Sequence, residues 1–218
     1  MARYLPLARP WFGLVAAVAL LGVLVQLIGT ATAGPALTPT FPTRGAQVAN
    51  VFAYFTILSN LLVGVVHVAL AIRPERTSTL WRVLVLDAAV AIAVTGIVYN
   101  LVLAPLVHLT GIHEVATVLC HMVTPVLAVL GWLLFGPRGL TSVRVVLLTA
   151  VYPVAWLAFT LVRGAVIAWY PYPFVDVVAL GYGRVAINCV VVAVLFLGLG
   201  FGALALDRRL PGVRTDPA

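Results

Sequence analysis

Residues 49–72, ANVFAYFTILSNLLVGVVHVALAI, decide how this chain is built. The run has no acid, lysine or arginine, and it exceeds the roughly 20 apolar residues that carry a helix across a bilayer. Its polar side chains are not scattered. Thr56, Asn60 and His67 fall at i, i+4 and i+11 on one helical face, with Ser59 beside them. Hydrocarbon penalises such groups, so a polar stripe within a span faces other helices rather than lipid. The segment therefore predicts one member of a helical bundle, with a polar seam turned inward.

The remainder of the chain agrees. Hydrophobic residues make up 63% of the 218, charged residues 9%, and mean hydropathy is +1.16, values outside the range of water-soluble domains. Further apolar runs lie at about 11–31, 81–104, 116–135, 143–163 and 184–206, which makes six with 49–72. Only helices and closed barrels satisfy their backbone hydrogen bonds in lipid, and the alternation of barrel strands is absent. The expected fold is an all-α integral membrane protein, a six-transmembrane-helix bundle forming a single membrane domain over 1–218. The loops leave no room for a separate soluble module.

A net charge of +7 raises the question of nucleic acid, and the placement of the charge answers it. All 13 basic residues are arginine. Arg3, Arg9, Arg73, Arg76, Arg82, Arg138, Arg144, Arg208, Arg209 and Arg214 fall at one end of the expected bundle; Arg44, Arg163 and Arg184 fall at the other. By the positive-inside rule both termini are cytoplasmic, so the charge sets topology and implies no nucleic-acid partner. The expected location is the plasma membrane, crossed many times. Arginine used to the exclusion of lysine suggests a GC-rich bacterial genome. Arg3, Arg9, an apolar run and Ala31-Thr32-Ala33 imitate a secretory leader, but about 18 apolar residues exceed the roughly 7–15 of a cleaved one. The first span is expected to stay. Cys120 and Cys189 both lie in spans, without metal-type spacing, and are expected to pack as small hydrophobes.

Between the spans, residues 32–48 (TAGPALTPTFPTRGAQV) read as irregular, and 73–80 (RPERTSTL) as a short polar loop. Residues 105–115 (PLVHLTGIHEV) place two histidines and a glutamate near the outer surface. The stretch 163–184, RGAVIAWYPYPFVDVVALGYGR, has two prolines, five aromatics and an arginine at each end, too broken for a span. It predicts an aromatic segment at the outer face between the fifth and sixth helices, where Trp and Tyr favour the interface.

Topology then converts position into depth. Thr56 lies about seven residues below the outer end of its span, roughly 10 Å at 1.5 Å per residue. His121 lies about five residues down its own, and Asn100 and Asn188 come to a similar level. His67 and Asp87 fall toward the inner side, where they can form a structural pair. Thr56 admits two readings, since a span threonine can bond the carbonyl one turn back or act as a nucleophile. His121 likewise is either a hydrogen-bonded histidine beside the kink at Pro125 or a general base. Ser59 and Thr124 read as helix glue. Arg163 and Arg184 snorkel to the interface, Arg184 being the better candidate to hold a carboxylate or phosphate.

The block Trp169-Tyr170-Pro171-Tyr172-Pro173-Phe174-Val175-Asp176, the sequence FTILSNL around Thr56, and His121 shortly before Pro125 together resemble the androgen-induced membrane protein family. The similarity covers about residues 50–206 and is nearest to a bacterial branch, the Pr-six-Pr membrane proteins. The resemblance implies a multi-span hydrolase of fatty acid esters of hydroxy fatty acids, with Thr56 as nucleophile and His121 as its base. An oxyanion formed there needs donors, for which Asn60, Asn100, Asn188 and Arg184 stand at about the right level. Tyr170 and Asp176 complete the expected substrate-binding set. The expected partner is a membrane lipid or acyl ester entering from the outer leaflet, and no cofactor is expected. The competing class is a non-enzymatic lipid-binding or small-solute transport protein using the same residues. Haem is disfavoured by the opposite depths of His67 and His121, and zinc by the unrecognised spacing of His108, His113, Glu114 and His121.

Overall fold

The structure is a computed structural model that describes residues 5–35 and 41–210. Arg3, Arg214 and residues 36–40 lie outside the described residues. The protein is an all-α membrane protein, with no strand among the described residues. Among the described residues nine α-helices run in the order α1 (Leu5–Ala33), α2 (Arg44–Asn50), α3 (Phe55–Ile72), α4 (Thr79–Val98), α5 (Ile112–Val118), α6 (Thr124–Phe135), α7 (Val143–Thr149), α8 (Val151–Ile167) and α9 (Val177–Arg209). Wider π turns cover Tyr99–Leu103 and Leu119–Val123, and tighter 3₁₀ turns cover Val51–Ala53, Ala104–Leu106 and Pro173–Val175. They assemble into six helical stretches long and apolar enough to cross a membrane: Leu7–Ala33, Phe55–Ile72, Thr79–Leu106, Ile112–Phe135, Val143–Ile167 and Val177–Arg209.

Helix α1 packs along α3 and also touches α5 and α6, while α4 joins α3 and α6 to α7 and α9. Between them Phe12, Val15, Val63, Val66, Ile92 and Ala128 close one buried cluster, and Leu86, Val90, Val145, Val146 and Phe196 close a second. In lipid this dispersion-driven packing, rather than expulsion of apolar surface from water, holds helices together. Small residues permit it. A Cβ built on Gly22 of α1 would stand 2.8 Å from the Cys120 sulfur, so only glycine lets α1 approach the 119–123 turn so closely. At the arginine-rich end Asp207 accepts the backbone N–H groups of Gly139 (3.1 Å) and Thr141 (3.0 Å), fastening the end of α9 to the loop before α7.

Several boundaries differ from the sequence expectation. The first helix begins at Leu5, taking Arg9 and Pro10 inside it. The stretch 49–72 is not one helix: α2 ends at Asn50, and Tyr54 is extended (φ −79°, ψ 129°) before α3 begins. Tertiary contacts override helix propensity at this break. The Trp156 indole donates to the Ala53 carbonyl at 3.0 Å, and Tyr54 stands edge-on to Trp169 and Tyr172. The irregular 32–48 loop contains the start of α2, capped by the Thr43 hydroxyl. The aromatic segment contracts to about 168–176, because α8 runs on to Ile167 and α9 starts at Val177. Asp176 caps α9 through a bond from Ala179 N (3.1 Å), and the helix is interrupted one turn later at Gly181, whose φ of 73° suits glycine.

Candidate active site

The break at Tyr54 places the first turn of α3 inside the arginine-poor half of the bundle, with Thr56 as its second residue. Backbone N–H groups in a first helical turn have no partner within the helix. That of Thr56 donates to the Tyr172 hydroxyl oxygen at 3.1 Å, and the same phenol lies 3.2 Å from Thr56 Oγ1. Thr56 Oγ1 is also 3.2 Å from His121 Nε2. His121 Nδ1 sits 3.2 Å from the Thr117 carbonyl, which can only accept. Nδ1 therefore carries the ring proton, and Nε2 is free to accept from the Thr56 hydroxyl. Tyr99 stacks on the imidazole with centroids 3.9 Å apart, fixing its plane. Thr56 and Tyr172 are buried, and His121 is half-buried.

The local chain explains why these groups meet. Pro125 has no N–H, so the carbonyl of His121, four residues earlier, loses its helical partner and the chain widens into the 119–123 π turn. Lipid cannot satisfy freed carbonyls. Asn100 donates to the His121 carbonyl (3.2 Å) and to Gly96 (2.8 Å), while Asn60 donates to Cys120 (3.2 Å) and to Thr56 (2.8 Å). Gly96 admits this approach, since a Cβ there would stand 2.9 Å from the Pro125 ring. Tyr172 is brought in by the 168–176 segment, stacked on Phe174 at 5.3 Å. The Asn188 amide holds that segment by donating to the Phe174 carbonyl at 2.9 Å.

A cavity of about 350 Å³ opens above Thr56 and His121 toward the arginine-poor end. Tyr170 and Asp176 line it, with Gln26, Thr30, Gln47 and Trp169. Arg163 stands at its rim, donating to Asn50 Oδ1 at 2.7 Å and lying over the Trp169 ring at 5.1 Å. The expected oxyanion donors are not placed there. Asn60 and Asn100 each give both amide hydrogens to carbonyls, while Asn188, which gives one to Phe174, and exposed Arg184 both lie on α9 away from the cavity lining. The donor that does face Thr56 is Tyr172, which the sequence displays only as one aromatic among several. Tyr99 and Thr117, which orient His121, carry no sequence signal beyond lying a turn from it or beside Asn100.

Elsewhere, His67 Nδ1 bonds back to the Val63 carbonyl at 2.9 Å, and no hydrogen bond joins it to Asp87 among the described residues. His113 Nε2 donates to the Gly34 carbonyl at 2.9 Å. Among the described residues no three His, Cys, Asp or Glu side chains converge as a metal-binding group. No family model, curated protein or solved structure matches the chain.

Proposed function

We propose that the protein hydrolyses lipid esters within the membrane, with Thr56 as nucleophile and His121 as general base, at the outer-leaflet level of a bundle whose termini are cytoplasmic. The observation that carries this is the Thr56 Oγ1 to His121 Nε2 distance of 3.2 Å at the floor of a cavity, with the Nδ1 proton committed to the Thr117 carbonyl. A threonine hydroxyl is a weak nucleophile, and an oriented base within hydrogen-bond reach is what activates it. The family resemblance designates the same pair.

In the proposed sequence Thr56 Oγ1 attacks the ester carbonyl as His121 Nε2 takes its proton. The Tyr172 phenol, held as acceptor by the Thr56 N–H, directs its own proton at the oxyanion. The tetrahedral species collapses as imidazolium returns the proton to the leaving alcohol, giving an acyl ester of Thr56. Water, activated by the same nitrogen, then releases the acid. Hydrolysis of p-nitrophenyl acyl esters by detergent-purified protein tests the reading. Thr56→Ala and His121→Ala should each lower kcat by roughly 10²-fold or more while the helical circular dichroism is kept. Unchanged hydrolysis in both variants contradicts it.

A further inference from the structure

A second cavity, of about 270 Å³, lies on the other side of Thr56 between α4, α8 and α9. Thr56, Tyr99, Leu103 and Tyr172 line both cavities, so the threonine hydroxyl stands at their junction. Resting on the ester-hydrolase reading, we propose that this second cavity holds the acyl chain of the ester, and that the first receives the alcohol portion.

The two linings differ in chemistry. Val94, Val98, Leu157, Val192 and Phe196 wall the second cavity, and its few polar groups are already engaged. Thr95 Oγ1 donates to the Ala91 carbonyl at 2.9 Å, and the Trp156 indole donates to Ala53. An occupant that needs hydrogen bonds finds almost none beyond the junction itself. The first cavity carries more polar groups, Gln26, Gln47, Asn50 and Asp176; these also bond within the protein, but an amide or carboxylate has capacity beyond one such bond, which suits an oxygen-bearing leaving portion. Direction fits as well. From Leu103 to Val94 the lining descends nine residues of the third span, ~13 Å along the helix at 1.5 Å each, parallel to the lipid tails. The rim includes Val154, 62% exposed, and exposed Ala193, on the face that meets lipid, so a chain can enter sideways. A carbonyl held over Thr56 Oγ1 then has its acyl carbon directed into α4–α8–α9 and its alkoxy oxygen directed toward the polar cavity and the returning His121 proton.

The test is the acyl-length profile of p-nitrophenyl esters, read as the ratio of kcat/KM for palmitoyl to that for butyryl. Ala193→Phe and Val192→Phe should each lower the ratio at least about tenfold, the equivalent of losing roughly two buried methylenes. Val192→Ala, which only removes methyl groups, should raise it. A ratio unmoved by all three variants, or a fall in every ester by one common factor, overturns the acyl assignment while leaving the Thr56–His121 chemistry standing. Wild-type protein that hydrolyses none of the esters overturns both.

Discussion

Thr56 owes its character to a register of two residues: placed deeper in α3, its N–H would bond within the helix and could not hold the Tyr172 phenol. Burial pushes that phenol up to about 12, with the bonds from Thr56 pulling the other way, so Tyr172 keeps its proton and remains a donor at ordinary pH. Removing the hydroxyl with Tyr172→Phe should cost about 10²-fold in kcat, the scale of one lost oxyanion donor, with KM for short esters changed far less. Because the shift is upward, the donor is lost only as pH approaches the raised value. A pH profile should therefore show no alkaline fall assignable to Tyr172 below about pH 10. Thr56 and His121 were legible because each is a polar interruption of an apolar run. Tyr172 was not, since aromatics near a membrane interface ordinarily read as belt residues. Asn60 and Asn100 were legible as polar groups within spans, yet their partners include the Cys120 and His121 carbonyls of a π turn that a sequence pattern does not display.

At the scale of elements, the site depends on irregular helix geometry. The six-helix pattern was plain from hydropathy, whereas the break at Tyr54 and the turns at 99–103 and 119–123 arise from packing. Pro125 is the tractable cause of the last. Pro125→Ala restores an N–H for the His121 carbonyl and should draw the 119–123 turn toward regular α-helix, swinging the imidazole off Thr56. The expected outcome is loss of ester hydrolysis with an unchanged or raised melting temperature. A similar separation is expected at the aromatic segment. A Cβ on Gly164 would overlap the Tyr170 ring, so Gly164→Ala should displace residues 168–176 and Tyr172 with them. Activity then falls while helix content by circular dichroism stays close to wild type.

Across the whole molecule, topology and chemistry share one axis. The arginine-poor end carries the cavity mouth, Arg163 and the aromatic segment; the arginine-rich end carries Arg138 and the Asp207 clasp. By the positive-inside rule, cytoplasmic reporters fused after Arg209 should be active, and periplasm-type reporters inserted near Gly111 should be active outside. The opposite pattern would place the site at the inner leaflet.

The most direct test of the central claim is peptide mapping by mass spectrometry after wild-type protein reacts with a long-chain alkyl fluorophosphonate. A Thr56–His121 hydrolase gives a phosphonyl adduct on Thr56, formed slowly or not at all in His121→Ala. An adduct on Tyr172 or Ser59, or no adduct under conditions where esters are hydrolysed, would contradict it.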